Sequence, residues 1–172
     1  MITTPKRTHT KTYTARGVVA AMVLAVGTAG IGTNPANAAD LHAPFLALYF
    51  GQAAFTGETS ISFEGAGIAT LLGHSSNHGD ITLTGPDSSC RGGLANIHVD
   101  TLTAANGDSI TITAHDVACP IGPMQFRGSG TWVVTEGTGR FSDATGAGVI
   151  NGGADFATRK FSFVMSGTIA AP

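Results

Sequence analysis

The stretch Leu102-Thr103-Ala104-Ala105-Asn106-Gly107-Asp108-Ser109-Ile110-Thr111-Ile112-Thr113-Ala114 decides the fold. Asn-Gly between two alternating segments is the strongest short-range hairpin signal, because both residues tolerate the positive φ that a two-residue turn requires. With Asn106-Gly107 as the turn, Thr103 faces Ile110, Thr101 faces Ile112, Val99 faces Ala114 and Ile97 faces Asp116. That mainly apolar face is the expected core. The opposite face then holds Leu102 with Thr111, Asp100 with Thr113 and His98 with His115. A longer, bulged turn would shift this pairing by one residue.

The same alternation recurs on both sides of the hairpin. Ser60-Ile61-Ser62-Phe63-Glu64 and Asp80-Ile81-Thr82-Leu83-Thr84 show it. So do the rows Met124, Phe126, Gly128, Gly130, Trp132, Val134 and Phe161, Phe163, Met165, Gly167, Ile169. Turn signals fall between them at Gly73–Gly79, Gly85-Pro86-Asp87, Pro120–Pro123, Glu136–Gly139 and Ala157–Lys160. No helical period stands out after residue 40. The pattern predicts an all-β domain of about eight short antiparallel strands. Glycines inside strand-like runs (Gly65, Gly67, Gly128, Gly130, Gly146, Gly148, Gly152, Gly153) favour a tight barrel over a β-sandwich, the runner-up. Glycine weakens an ordinary strand but allows sharp bending and room for a large neighbour.

Residues 1–38 read as an export address. Lys6, Arg7, Lys11 and Arg16 precede an apolar run from Gly17 to Gly32, and Ala36-Asn37-Ala38 supplies the small-x-small site, with cleavage expected between Ala38 and Ala39. The run is shorter than the roughly 20 residues that span a bilayer. The style of the segment is bacterial, and the expected product is a secreted single domain, 39–172, with no membrane span. Of the chain's nine Lys and Arg, four precede Ala39, leaving five against eleven acidic residues, a net charge of −6. Such a surface disfavours nucleic acid and anionic lipid. Two cysteines in an exported chain are expected to pair, Cys90 with Cys119.

The segment Gly137-Thr138-Gly139-Arg140-Phe141-Ser142-Asp143-Ala144-Thr145-Gly146-Ala147-Gly148 resembles the glycine–phenylalanine–alanine–glycine signature of the allene oxide cyclase/dirigent-like (calycin-like) barrels, and is closest to small secreted bacterial proteins of that type. Gly67–Gly73, Leu102–Asp108 and Asp155–Thr158 with Phe161–Ile169 fit the same group in the same order. The resemblance implies an eight-stranded barrel with an apolar interior, and Phe141 tucked under its turn as a plug. It carries no catalytic residue over to this chain.

Candidate chemistry is sparse. His98, His115 and Asp100 share a face in the two-residue-turn register, where cross-strand imidazoles could clip a metal; a solvated outer face accounts for them better. His74-x-x-x-His78 lies among Gly, Ser and Asn and reads as a loop. Glu64 shares a face with Ser60 and Ser62, and is expected outside. No nucleophile elbow, zinc-protease or phosphate-loop motif is present, and no cofactor is expected. Met124, Phe126, Trp132, Phe161, Phe163 and Met165 are the candidates for lining a ligand cavity. The sequence therefore points to a secreted, non-enzymatic barrel with a small apolar ligand. The alternatives are a cyclase or isomerase, which would need roughly 300 Å³ of room, and a cell-surface interaction protein.

Overall fold

The computed structural model describes residues 42–171; the expected signal segment and its Ala38–Ala39 cut lie outside them. Eight strands follow one another in chain order: β1 (Ala43–Phe55), β2 (Ser60–Ala69), β3 (Gly73–Asp87), β4 (Gly93–Ala104), β5 (Ser109–Gly122), β6 (Gln125–Gly137), β7 (Thr145–Asp155) and β8 (Lys160–Ala170). Each pairs antiparallel with the next, and β1 pairs with β8 from Ala43↔Ile169 to Gln52↔Lys160, so the sheet closes into a barrel. Among the described residues the sole helical element is a 3-10 turn, Gly139–Phe141, and no helix is long and apolar enough to cross a membrane.

The central hairpin differs from the sequence expectation by one residue. Leu102 pairs with Ile110, Asp100 with Ile112, His98 with Ala114 and Asn96 with Asp116. The connection is a three-residue loop: the Ala104 N–H donates to Asp108 O at 2.9 Å, and the Gly107 N–H to Ala104 O at 2.9 Å. Gly107 has a φ of 90°, whereas Asn106 is not in the positive-φ region. A two-residue turn of the expected type needs positive φ at both. A slip of one residue turns every side chain of a strand to the other face. Ile110, Ile112 and Ala114 are buried as expected, but on β4 the inward row is Leu94, Asn96, His98, Asp100, Leu102 and Ala104, while Val99 and Thr101 face out.

Gly73–Gly79 is not a turn but the first half of β3, and its exposed His74 and His78 stand on the outer face. Glu64 is also outside, across from His78.

The two halves of the barrel interior differ. At the end carrying the β2–β3, β4–β5 and β6–β7 connections, large side chains fill the lumen: Phe45, Leu102, Ile110, Ile112, Trp132, Met165 and Ile169 are each at most 2% exposed. Trp132 fits because Gly148 and Gly167, paired across β7 and β8, leave its ring room; a Cβ on either would come within 2.7 or 2.8 Å of its Cζ2. Its indole N–H donates to Val149 O at 3.0 Å, satisfying the buried donor. Phe141 is buried under the 3-10 turn, and Arg140 reaches over it, donating to Leu71 O at 2.8 Å and lying 3.6 Å from Asp108. That arm ties three connections together and caps this end.

A half-filled cup with a polar floor

The opposite end is not filled. A cavity of about 120 Å³ opens there. Its wall is aromatic: Phe55, Phe63, Phe126, Phe156, Phe161 and Phe163 line it, with Ile61, Ile81, Leu83 and Leu94. The rings support one another, Phe161 stacked on Phe163 at 5.7 Å and edge-on to Phe63 at 5.4 Å, with Phe55 against Phe156 at 4.6 Å. The space itself is set by glycine. Gly128 and Gly152 pair across β6 and β7, and both line the cavity. A Cβ on Gly128 would meet its nearest atoms only at 3.8 Å. The facing pair in the plugged half is thus filled by an indole, whereas in the open half Gly128 borders a hollow and Gly152 is closed in by Phe163 and Ser162.

Of the six side chains expected to line a cavity, three do: Phe126, Phe161 and Phe163. Trp132 and Met165 belong to the plug, packed too tightly to face open space. Met124 sits in the β5–β6 turn with a φ of 58° and is 49% exposed, because β6 begins one residue after it.

The floor combines His98, expected on the outer face, with Asp116, expected on the core face, and Asn96, which the sequence did not single out. Asn96 and His98 from β4 and Asp116 from β5 line the cavity, the two former 5% exposed. His98 Nδ1 stands 3.8 Å from Asp116 Oδ2, too far for a direct hydrogen bond. Burial pushes the His98 imidazole down to about 4, so it is neutral at pH 7. Burial lifts the Asp116 carboxyl to about 6, against the opposing pull of a hydrogen bond from the Asn96 side chain, so it remains mostly ionised at pH 7. Asn96 Oδ1 and His98 Nε2 have no partner.

Deeper, toward the plug, Asp100 is fully buried, both of its oxygens unpartnered beside an equally unpartnered Asn77 amide. Desolvation raises its carboxyl to about 8, with Asn77 offsetting part of the rise, so it holds a proton at pH 7. Tyr49, hydrogen-bonded to Ser75, is raised to about 12 by burial.

His115 is exposed on the outer face opposite Ile97, so the proposed His98–His115–Asp100 clip does not exist: the register turns two of its members inward and leaves the third in solvent. Strand spacing puts His74 and His78 about 13 Å apart along β3. Among the described residues no group of three potential metal ligands comes together.

Cys90 and Cys119 form a disulfide with a Cα–Cα distance of 6.0 Å. It clips the β3–β4 loop to β5 at the cup's end of the barrel. The chain matches no family model, no curated protein and no solved structure.

Proposed function

We propose that the protein is an exported binding barrel that holds a small, largely apolar molecule in the cup. The observation that carries this reading is the contrast between the halves: one end is packed solid, whereas the other keeps an aromatic hollow whose floor has unpartnered polar atoms. An apolar wall with a few convergent polar groups is the usual make-up of a ligand site. Export is supported by the disulfide, a bond of oxidising compartments, together with the basic, apolar and Ala-x-Ala pattern of residues 1–38. The closed eight-stranded sheet and the buried Phe141 support grouping the chain with the allene oxide cyclase/dirigent-like barrels.

The size of the cup limits its occupant. An apolar cavity of about 150 Å³ is enough to take up benzene, so 120 Å³ with an open mouth accommodates one ring or a short branched chain, with the remainder of a longer molecule projecting past Phe55 and Phe156. Folding a long substrate into a ring needs more space, which weighs against the cyclase alternative. The test is a toluene titration followed through the aromatic NMR signals of the wild type and of Gly128→Leu. Saturable shifts in the wild type and none in the variant are expected. Absence of saturation in the wild type, or equal binding by the filled variant, would overturn the reading.

A further inference from the structure

We infer that the cup selects ligands bearing a protonated amine, with the ammonium seated on the floor at Asp116 and Asn96 and the apolar body among the phenylalanines. The inference rests on the binding reading above and adds the chemistry of the head group.

The floor is a set of acceptors. The Asp116 carboxylate contributes a negative charge at neutral pH. Asn96 stands directly opposite Asp116 in the β4–β5 register, and its buried Oδ1 has no partner. The carboxylate beside His98 Nδ1 favours the ring proton on that nitrogen, leaving a lone pair on the unpartnered Nε2. No lysine or arginine lines the cavity. A carboxylate or phosphate head would therefore face a like charge and no donor able to neutralise it. An aliphatic head would leave buried acceptors unsatisfied. A hydroxyl would satisfy one acceptor without balancing the charge. An ammonium supplies up to three donors and the balancing charge. Aromatic rings border the floor as well: those of Phe63 and Phe163 lie 5.7 and 6.4 Å from the His98 ring.

Four probes of one shape separate these cases: toluene, benzyl alcohol, benzylamine and benzoate, titrated calorimetrically at pH 7.5. Benzylamine is expected to bind at least tenfold more tightly than benzoate, and more tightly than toluene or benzyl alcohol. Asp116→Asn, which keeps the volume of the site, should cost benzylamine tenfold or more while leaving toluene within twofold. A measurement without any variant gives the same information. Asp116 is faced by the titratable His98 and by Asn96 from β4, whereas Gly128 and Gly130 of β6 bring no charge. Lowering the pH from 7.5 to 5 should therefore weaken benzylamine several-fold by protonating Asp116, with toluene unchanged. Equal affinity for toluene and benzylamine, a preference for benzoate, or benzyl alcohol ahead of benzylamine would overturn the amine assignment and leave the binding reading intact. Failure of all four to bind would overturn both.

Discussion

Asp100→Asn should make the barrel more stable, and increasingly so as the pH rises. In the unfolded chain Asp100 titrates near its ordinary value of 3.8, whereas in the fold it titrates at about 8 because it is desolvated. At pH 7 the unfolded chain is ionised there and the folded barrel must take up a proton. Over the 3.2 pH units between 3.8 and 7, at about 1.4 kcal/mol each, folding forfeits about 4 kcal/mol. The direction is fixed by the raised value: no penalty below pH 3.8, a growing one up to about pH 8, and a constant one above. Two neighbours act within the same range. Asp116, raised to about 6, also costs stability as the pH rises from 3.8 to 6. His98, lowered from 6.5 to about 4, costs stability as the pH falls from 6.5 to 4. These two oppose each other and nearly cancel, so Asp100 sets the slope. Urea unfolding at pH 5, 6, 7 and 8, followed by the fluorescence of the buried Trp132 with the disulfide intact, reads it directly. The wild type should lose about 1.4 kcal/mol per pH unit from 5 to 8, and Asp100→Asn, similar in shape and uncharged, should be nearly flat. The two should converge near pH 4. A variant less stable than the wild type at pH 8, or one with an unchanged slope, would show that the carboxylate is satisfied in the fold and that the reasoning fails.

Two further outcomes follow from packing and cross-linking. Gly148→Ala places a methyl within 2.7 Å of the Trp132 ring and against the paired β8 backbone, so it should cost at least ~3 kcal/mol and shift the tryptophan emission; an unchanged melting temperature would contradict the tight seat described for the indole. Replacing both Cys90 and Cys119 by Ser, a separation of 29 residues, should cost about 3–4 kcal/mol by releasing the unfolded chain, measured as a lower urea midpoint, and a loss under 1 kcal/mol would place little of the stability in that link.

Much of the architecture was legible because alternation is a direct imprint of a sheet with one face buried. The strand rows ending in Trp132–Val134 and Phe161–Ile169 follow from side-chain type and spacing, the cysteine pairing from there being two in a chain read as exported, and the buried Phe141 from the motif's resemblance. The inward turn of His98 and Asp100 was not legible, and a single loop explains why. Asn106-Gly107 serves equally well in a two-residue turn or at the end of a three-residue loop, and the choice between them flips β4. Local preference pointed to the register that kept Asp100 and His98 in water. The structure buries them, against the ordinary cost of desolvating ionisable groups, and that conflict between local preference and global fold falls where the candidate site lies. Asp108 was the available signal: its backbone N–H and carboxylate both engage Asn106, at 3.2 and 2.7 Å, as part of the longer loop. The glycines were readable as spacers, but not which of them would border filled or open space.

The seam between β1 and β8 joins Ala43 to Ile169, nearly the whole domain apart in sequence. Until residues 160–170 are available, β1 and β7 both expose unsatisfied backbone edges. Pairings so distant in sequence form slowly. A chain threaded through a narrow pore N-terminus first would therefore stay open, and passable, until its last strand arrived, and then lock in one step. Removing β8, residues 160–170, would leave a curled ribbon with two adhesive borders, prone to self-association.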